Sequence, residues 1–440
     1  MPNPILPAWE YIPDGEPRVF GDRVYLYGSH DRAAKSDFCD YKLKVWSAPL
    51  DDLNNWVCHG HSFHTRDDRD HKSDTEGMAD RKLFAPDVIE KDGRYYLYAY
   101  IVGSKGVVGV SDKPEGPFKL LSQYKYDPED AGDDGIYNDA GVLVDDDGSV
   151  YIYYGFTESN FNEIDPADMY TIKKGSYKRA VIDDSDNAPQ EQRFFEASSP
   201  RKIGDTYYLI YSPCVGSRLA YATSDKPQGP FKYRGYIIDN GVDFPGGNDH
   251  GSVCDINGQW YIFYHRHTNG TWYSRQGCAE KLTIREDGSI PQVEITSCGL
   301  NGGPLVGEGY YPAYLACNLF TNEPSIYVDE RFPKIMQDGR DGDEDPAYLG
   351  AIVDSTTVGF KYFDMKNIHQ ISIDVRGYIK GSFEVKTAWD GKVLAQIPVE
   401  YTNVWKHYST PVEMPDGVQA LYFTFKGEGK GSLKGFYLEH

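Results

Sequence analysis

Three carboxylates in this chain stand outside its ordinary solvated charge runs. Asp14 sits in Ile12-Pro-Asp-Gly-Glu-Pro17, Asp139 in Tyr137-Asn-Asp-Ala140, and Glu196 in the apolar stretch Phe194-Phe-Glu-Ala-Ser-Ser199. Carboxylates that converge on one site perturb one another's pKa values, so that one stays protonated while another stays ionised. That division supplies the general acid and the general base needed to hydrolyse a glycosidic bond. The chain has 67 Asp and Glu residues, so a single one carries little weight. The three gain weight together, because each lies close to one copy of a repeated strand.

The repeat reads Gly21-Asp-Arg-Val-Tyr-Leu-Tyr27, Asp92-Gly-Arg-Tyr-Tyr-Leu-Tyr98, Asp147-Gly-Ser-Val-Tyr-Ile-Tyr153, Gly204-Asp-Thr-Tyr-Tyr-Leu-Ile210 and Asn257-Gly-Gln-Trp-Tyr-Ile-Phe263. Each copy is a Gly-containing turn followed by an aromatic and β-branched run, the signature of a hairpin. The central tyrosines Tyr25, Tyr96, Tyr151, Tyr208 and Tyr261 are spaced by 71, 55, 57 and 53 residues. Each interval holds one four-stranded sheet with its loops, which predicts a five-bladed β-propeller. A second repeat agrees: Ser111-Asp-Lys-Pro-Glu-Gly-Pro-Phe-Lys119 returns as Ser224-Asp-Lys-Pro-Gln-Gly-Pro-Phe-Lys232, and Ser47 to Trp56 is a divergent first copy. In a propeller the innermost strand of each blade lines the axis, so residues equivalent in blade position converge there however distant in sequence.

With 440 residues the chain exceeds what one core usually supports. The expected division is a catalytic propeller over 1–305 and a second all-β domain over 306–440. Gly299 to Gly309 is rich in Gly. Beyond it Gly381 to Thr387, Lys392 to Val399, Val418 to Phe425 and Leu433 to Leu438 alternate like half-buried strands. Short strands without helices predict a β-sandwich, jelly-roll-like.

The formal charge is −22, which repels phosphate backbones and anionic membranes and excludes nucleic acid and membrane as expected partners. The seven cysteines show no CxxC spacing and are odd in number, as expected of thiols in a reducing compartment. Met1 is followed by neither a basic segment nor a long apolar one, so a cytoplasmic location is expected.

Residues 1–300 resemble glycoside hydrolase family 43. Asn3-Pro-Ile-Leu-Pro7 is similar to the family's N-terminal segment, and Asp14-Gly-Glu-Pro17 to the stretch that opens with its general base. Glu16 is a second carboxylate in that stretch, and the register selects Asp14. Asp139-Ala-Gly141 resembles the segment whose Asp raises the pKa of the acid. Phe195-Glu-Ala-Ser-Ser-Pro200 resembles the segment carrying the general acid, here Glu196. Phe84-Ala-Pro-Asp-Val88 resembles a second-blade motif. Asp249-His-Gly-Ser252 and Ser274-Arg-Gln276 resemble the family's axial His and its sugar-contacting Arg, here His250 and Arg275. The resemblance implies an inverting exo-glycosidase that releases α-L-arabinofuranosyl groups from hemicellulose-derived oligosaccharides of the arabinoxylan or xylan type, with β-xylosidase activity alongside. Inversion requires acid and base to stand roughly 6.5–9.5 Å apart, leaving room for water. The alternative is a propeller that binds carbohydrate without hydrolysis. Phe84, Trp272 and Tyr264 are candidates for stacking on sugar. Calcium is the candidate ion, beside His250, and no organic cofactor is expected. The C-terminal part resembles carbohydrate-binding module family 6. Its last segment, Gly431-Ser-Leu-Lys-Gly-Phe-Tyr437, lacks that family's usual Asn and Trp.

Cys58-His-Gly-His61 with His64 has metal-ligand residue types but no matching second pair in the sequence. Asp145-Asp-Asp-Gly148 lacks the ligand spacing of a calcium loop and reads as a hairpin turn.

Overall fold

The structure, a computed structural model, describes residues 1–75, 81–103, 106–131, 137–183, 188–241, 244, 247–323, 325–337 and 347–440. The first 281 residues form five separate antiparallel sheets, each a simple meander. Blade I comprises Glu16–Phe20, Arg23–Tyr27, Lys42–Pro49 and Val57–His64; blade II comprises Leu83–Lys91, Arg94–Ile101, Val107–Ser111 and Lys119–Gln123. Blade III comprises Gly141–Val144, Val150–Tyr154, Asn160–Ile164 and Lys178–Arg179; blade IV comprises Phe194–Ile203, Thr206–Pro213, Arg218–Ser224 and Lys232–Asp239. Blade V has three strands among the described residues: Ser252–Ile256, Gln259–Thr268 and Thr271–Lys281.

The five repeated tyrosines all lie on second strands and occupy one depth. They pair across to Arg18, Ile89, Leu143, Arg201 and Cys254 of the first strands. Those five partners ring one mouth of the axis, where they line a cavity of about 390 Å³. The turns behave as their residues dictate. Asp92-Gly93 and Asn257-Gly258 have positive φ at both positions, the tight hairpin turn that Asp-Gly and Asn-Gly favour. The second repeat forms the turn between the third and fourth strands. Pro114 O accepts the hydroxyl of Tyr27, and Pro227 O that of Tyr153, so each loop is tied to the preceding blade.

The fifth blade departs from four strands because the N-terminus completes it. Ile5 N–H donates to Gly277 O at 3.1 Å, and Ala279 N–H donates to Asn3 Oδ1 at 2.9 Å. The first residues of the propeller thus lie along the last strand of its last blade, and the ring closes.

First strands of neighbouring blades are packed directly together. Arg18 forks onto Asp87 at 2.6 and 3.0 Å, Val142 N–H donates to Asp87 Oδ2, and Ser199 Oγ donates to Ser252 Oγ at 2.6 Å. A Cβ at Gly141 would lie 2.2 Å from Ser198 O, so only glycine allows blade III to approach blade IV this closely. Gly141→Ala is therefore expected to cost about 1–3 kcal/mol of stability by forcing the two strands apart. It should also lower activity, because Asp139 and Glu196 flank that contact. Thermal unfolding and kcat measured together check this; an unchanged Tm would mean the strands yield freely.

The remaining chain forms one curled sheet rather than two separate ones. Its spine is a pair of long strands, Gln370–Lys386 and Gly417–Glu439, antiparallel over the whole of the first and over residues 422–439 of the second. Gly377 faces Gly431 and Gly381 faces Gly427 across this ladder, which lets both strands bend and continue from one layer into the other. Ile371, Ile373, Phe383, Phe423 and Phe436 fill the fold between the layers. This domain docks on blade V. Asn269 N–H donates to Ile335 O at 2.7 Å, and Arg266 donates to Tyr314 O and Ala316 O. Phe244 and Ala8 of the propeller enter its core.

Candidate active site

All the candidate carboxylates lie at one end of the first strands, opposite the cavity ringed by Arg18 and Arg201. Asp14 precedes the first strand of blade I, Asp139 precedes that of blade III, and Asp249 with His250 precedes that of blade V. Glu196 lies at the start of blade IV's first strand, where the pairing is interrupted on both sides of it. The backbone here is unusual: Asp14, Ala85, Asp139 and Ala197 have φ of 57, 35, 46 and 69°. Left-handed conformations at residues other than glycine are costly and cluster at functional sites. Here they turn side chains from four blades toward the axis.

Asp14 is held as an anion. Arg275 Nη1 donates to its Oδ1 at 2.8 Å, Ser29 Oγ donates to its Oδ2 at 2.6 Å, and His265 Nδ1 stands 3.5 Å away. Burial pushes its pKa up, but the charge of Arg275 outweighs this together with the histidines and Ser29, and the pKa falls to about 2. Arg275 is itself fixed by Asp31, which accepts from its Nε at 2.8 Å and its Nη2 at 3.1 Å. Paired in this way, the guanidinium has a set orientation and is buried with full hydrogen-bonding on its carboxylate side.

The other two carboxyls are in the opposite situation. Burial, then the neighbouring charge of Glu196, pushes Asp139 up to about 8. Burial, then the charge of Asp14, pushes Glu196 up to about 7. No arginine forks onto either, among the described residues. Asn248 Nδ2 donates to Glu196 Oε1, and His250 Nδ1 lies 4.0 Å from Asp139 Oδ2 and 3.8 Å from Asp14 Oδ1. The charge of Glu196 acts on Asp139, and with both carboxyls raised the pair retains a proton near neutrality. The site therefore offers a fixed anion and a proton donor whose charges act on one another. That combination can activate water on one side of a bond and protonate a leaving oxygen on the other.

The fold thus brings together Asp14, Asp139, Glu196, Arg275 and His250. Glu16 faces elsewhere: it is buried and accepts from Arg201 Nη2 at 2.9 Å. Phe84 packs at a tilt against Tyr100, with ring centroids 6.0 Å apart, and is joined to the site through Ala85, whose N–H donates to Ser29 Oγ. Trp272 is 39 % exposed and shares no hydrogen bond or ring contact with the carboxylates among the described residues. Tyr264 is not a sugar platform; it is buried in the core and its hydroxyl donates to Glu280.

Several residues of the site were not apparent in the sequence. Ser29 and Asp31 follow the first repeated strand, in Gly28-Ser-His-Asp31, and nothing in their spacing points to Arg275. Phe38 places its ring 4.9 Å from the Arg275 guanidinium and edge-on to Tyr273. Asp249 is fully buried, with Oδ1 accepting the N–H of His250 and of His265 while Oδ2 has no partner among the described residues. The available signal was its adjacency to His250.

A model of the family described as glycosyl hydrolases family 43 matches residues 1–290. A xylosidase/arabinosidase of Thermoclostridium stercorarium is 47 % identical over 472 aligned residues, covering 99 % of this chain and 98 % of the relative. Among solved structures, the GH43_1 enzyme of Xanthomonas citri in complex with xylose is 27 % identical with a TM-score of 0.56, over 67 % of this chain and 93 % of that one. An arabinoxylan arabinofuranohydrolase of Bacillus subtilis, 22 % identical, shares the fold over 100 % of this chain and 97 % of its own, with a TM-score of 0.55.

Proposed function

The chain belongs to glycosyl hydrolases family 43 and is a glycoside hydrolase; from that premise we propose that it releases terminal α-L-arabinofuranosyl groups from oligosaccharides of the arabinoxylan or xylan type. Hydrolysis of β-xylosides is a second activity of the same site, since the two sugars present similar hydroxyl patterns. The reading is supported by the name of the 47 % identical relative and by the contrast between an ionised Asp14 and a proton-holding Asp139–Glu196 pair. In the proposed mechanism Glu196 protonates the leaving oxygen. Asp14 takes a proton from water attacking the opposite face, with inversion. Asp139 is the positioning residue that shares the pair's proton with Glu196, and Arg275 holds Asp14 in register while Phe84 and Trp272 flank the sugar.

The test is release of p-nitrophenol from the α-L-arabinofuranoside and the β-D-xyloside, with proton NMR of the first product formed. Both substrates are expected to be cleaved, and the first sugar released should carry the inverted anomeric configuration. Release from neither would favour a propeller that binds sugar without cutting it.

Calcium belongs to the proposal beside His250. The buried, unpartnered Oδ2 of Asp249, next in the chain, is a hard oxygen of the kind calcium takes. It would supply one of the six or more oxygens that calcium takes, with His250 beside the ion and water filling the rest of its shell. The p-nitrophenol assay repeated after exhaustive treatment with EGTA, and again with calcium restored, tests for it. For the C-terminal domain we propose a bracing role: Gln337 N–H and the hydroxyl of Tyr327 grip Asn269 and Gly270, the hairpin that leads into the Arg275 strand. A cytoplasmic site of action on imported oligosaccharides fits the absence of a disulfide at any of the seven cysteines.

A further inference from the structure

A second cluster of ligating side chains lies on the outermost strand of blade I and the loop after it. The stretch Cys58-His-Gly-His61 with His64 has no partner pair in the sequence, but the fold supplies one. His64 ends its strand, and His71 and Asp74 return from the loop. One ligating atom from each of these three residues lies within 4.8 Å of the others. The rings of His64 and His71 meet edge to face with centroids 4.0 Å apart.

The decisive observation concerns His64. It is only 3 % exposed, and among the described residues neither of its ring nitrogens has a hydrogen-bond partner. Buried polar groups are nearly always satisfied, and one left without a partner costs free energy. A ligating imidazole ordinarily bonds the ion through one nitrogen. Here that bond would satisfy a nitrogen that the protein leaves unsatisfied.

We propose that His64, His71 and Asp74 bind a divalent transition ion, with zinc the best match, and so fasten the 65–75 loop to blade I. Two imidazoles and one carboxylate, with a fourth position for water, are a zinc ligand set. Calcium would require six or more oxygens. Asp74 is already oriented for this task. Its Oδ2 accepts the N–H of His64 at 2.9 Å, its own N–H donates to His64 O at 2.8 Å, and its Oδ1 accepts from Lys119 Nζ at 2.5 Å. Such outer hydrogen bonds orient metal carboxylates. The Lys119 ammonium is 63 % exposed, so solvent screens its charge from the ion.

One contact must change. His71 Nε2 lies 2.9 Å from Asp74 Oδ2, whereas ligating atoms of a tetrahedral zinc stand about 3.3 Å apart for bonds of ~2.0–2.1 Å. The ion would replace the hydrogen bond between them. His71, with a side chain 31 % exposed on the loop, has room for a shift of a few tenths of an ångström.

The experiment is a titration of metal-stripped, full-length protein with Zn²⁺ alone, followed by calorimetry and thermal unfolding. Wild-type protein is expected to bind one equivalent and to gain several degrees in Tm at saturating zinc, because the ion binds only the folded loop. His71→Ala removes a partly exposed ligand without emptying a core position, and it should weaken binding more than about tenfold and abolish the Tm gain. Asp74→Asn should do the same, and Cys58→Ser should bind like wild type. Co²⁺ in place of Zn²⁺ should give visible absorption bands of tetrahedral type in wild type and not in His71→Ala. No stoichiometric uptake by wild type would overturn the proposal. So would uptake that survives both His71→Ala and Asp74→Asn, or uptake lost in Cys58→Ser.

Discussion

Glu196→Gln is expected to lower kcat by roughly 10²–10⁴ on a glycoside whose leaving group needs a proton, and to recover much of that loss on a dinitrophenyl glycoside. Asp14→Asn should fall at least as far on both. The difference follows from what each carboxyl does to the bond. A dinitrophenolate departs without protonation, so the acid becomes dispensable, whereas the attacking water still needs its base. Both variants should fold. Glutamine is close in shape to Glu196, and its loss of charge removes the cost of burying a carboxylate. In Asp14→Asn, Arg275 keeps its fork onto Asp31, so no charge is left wholly unpaired. Matching Tm values alongside the two kinetic series separate chemistry from unfolding. Equal rescue of both variants, or of neither, would reverse or dissolve the assignment of acid and base. Activity retained in Asp14→Asn and lost in Glu16→Gln would move the base to Glu16, despite its ion pair with Arg201.

Asp139→Asn is the second expectation, and it has two readouts of opposite sign. Activity needs the proton held by the Asp139–Glu196 pair, so it is lost as pH rises through the pair's raised pKa values, about 7 and about 8. Asparagine has no proton to share, so Glu196 titrates alone, held up only by burial and Asp14, and the alkaline limb of the kcat/KM profile moves to lower pH. The acidic limb belongs to Asp14, at about 2, and should stay in place. Stability moves the other way. Asp139 has a folded pKa raised from 3.8 to about 8, so the stability it contributes is complete below about pH 4 and is lost as pH rises through 8. The Asn variant escapes that loss. Its Tm should exceed that of wild type near pH 8, and the gap should close toward pH 4. An exposed, uncoupled Asp139 would shift neither the profile nor the Tm difference, since solvent screens such charges.

Much of the propeller was legible because it is built from local rules repeated at a long interval. Asp92-Gly93 and Asn257-Gly258 specify their turns through backbone sterics alone. The Tyr-rich runs after them alternate as strands must, and five copies mean five blades. With five blades, Asp14, Asp139 and Glu196 all fall near the start of an innermost strand, which is why the sequence could single them out together. The curled C-terminal sheet was legible as alternating strands. Its bent continuity was not, since facing pairs such as Gly381 and Gly427 are set by a register that no single strand displays.

The rest was decided by closure of the ring. Asp31 grips Arg275 across 244 positions of chain, and Asn3 completes blade V across 276. No period links such residues, so their partnership depends on how the first and last blades meet. The same holds for charge. Residue type made Asp14, Asp139 and Glu196 alike, and only packing separates them. Arg275 stands 2.8 Å from Asp14 and keeps it ionised, while burial beside each other leaves Asp139 and Glu196 to share a proton. His64 shows it too: its side-chain chemistry was plain in the sequence, but its unsatisfied nitrogens exist only because the fold buries them beside His71 and Asp74.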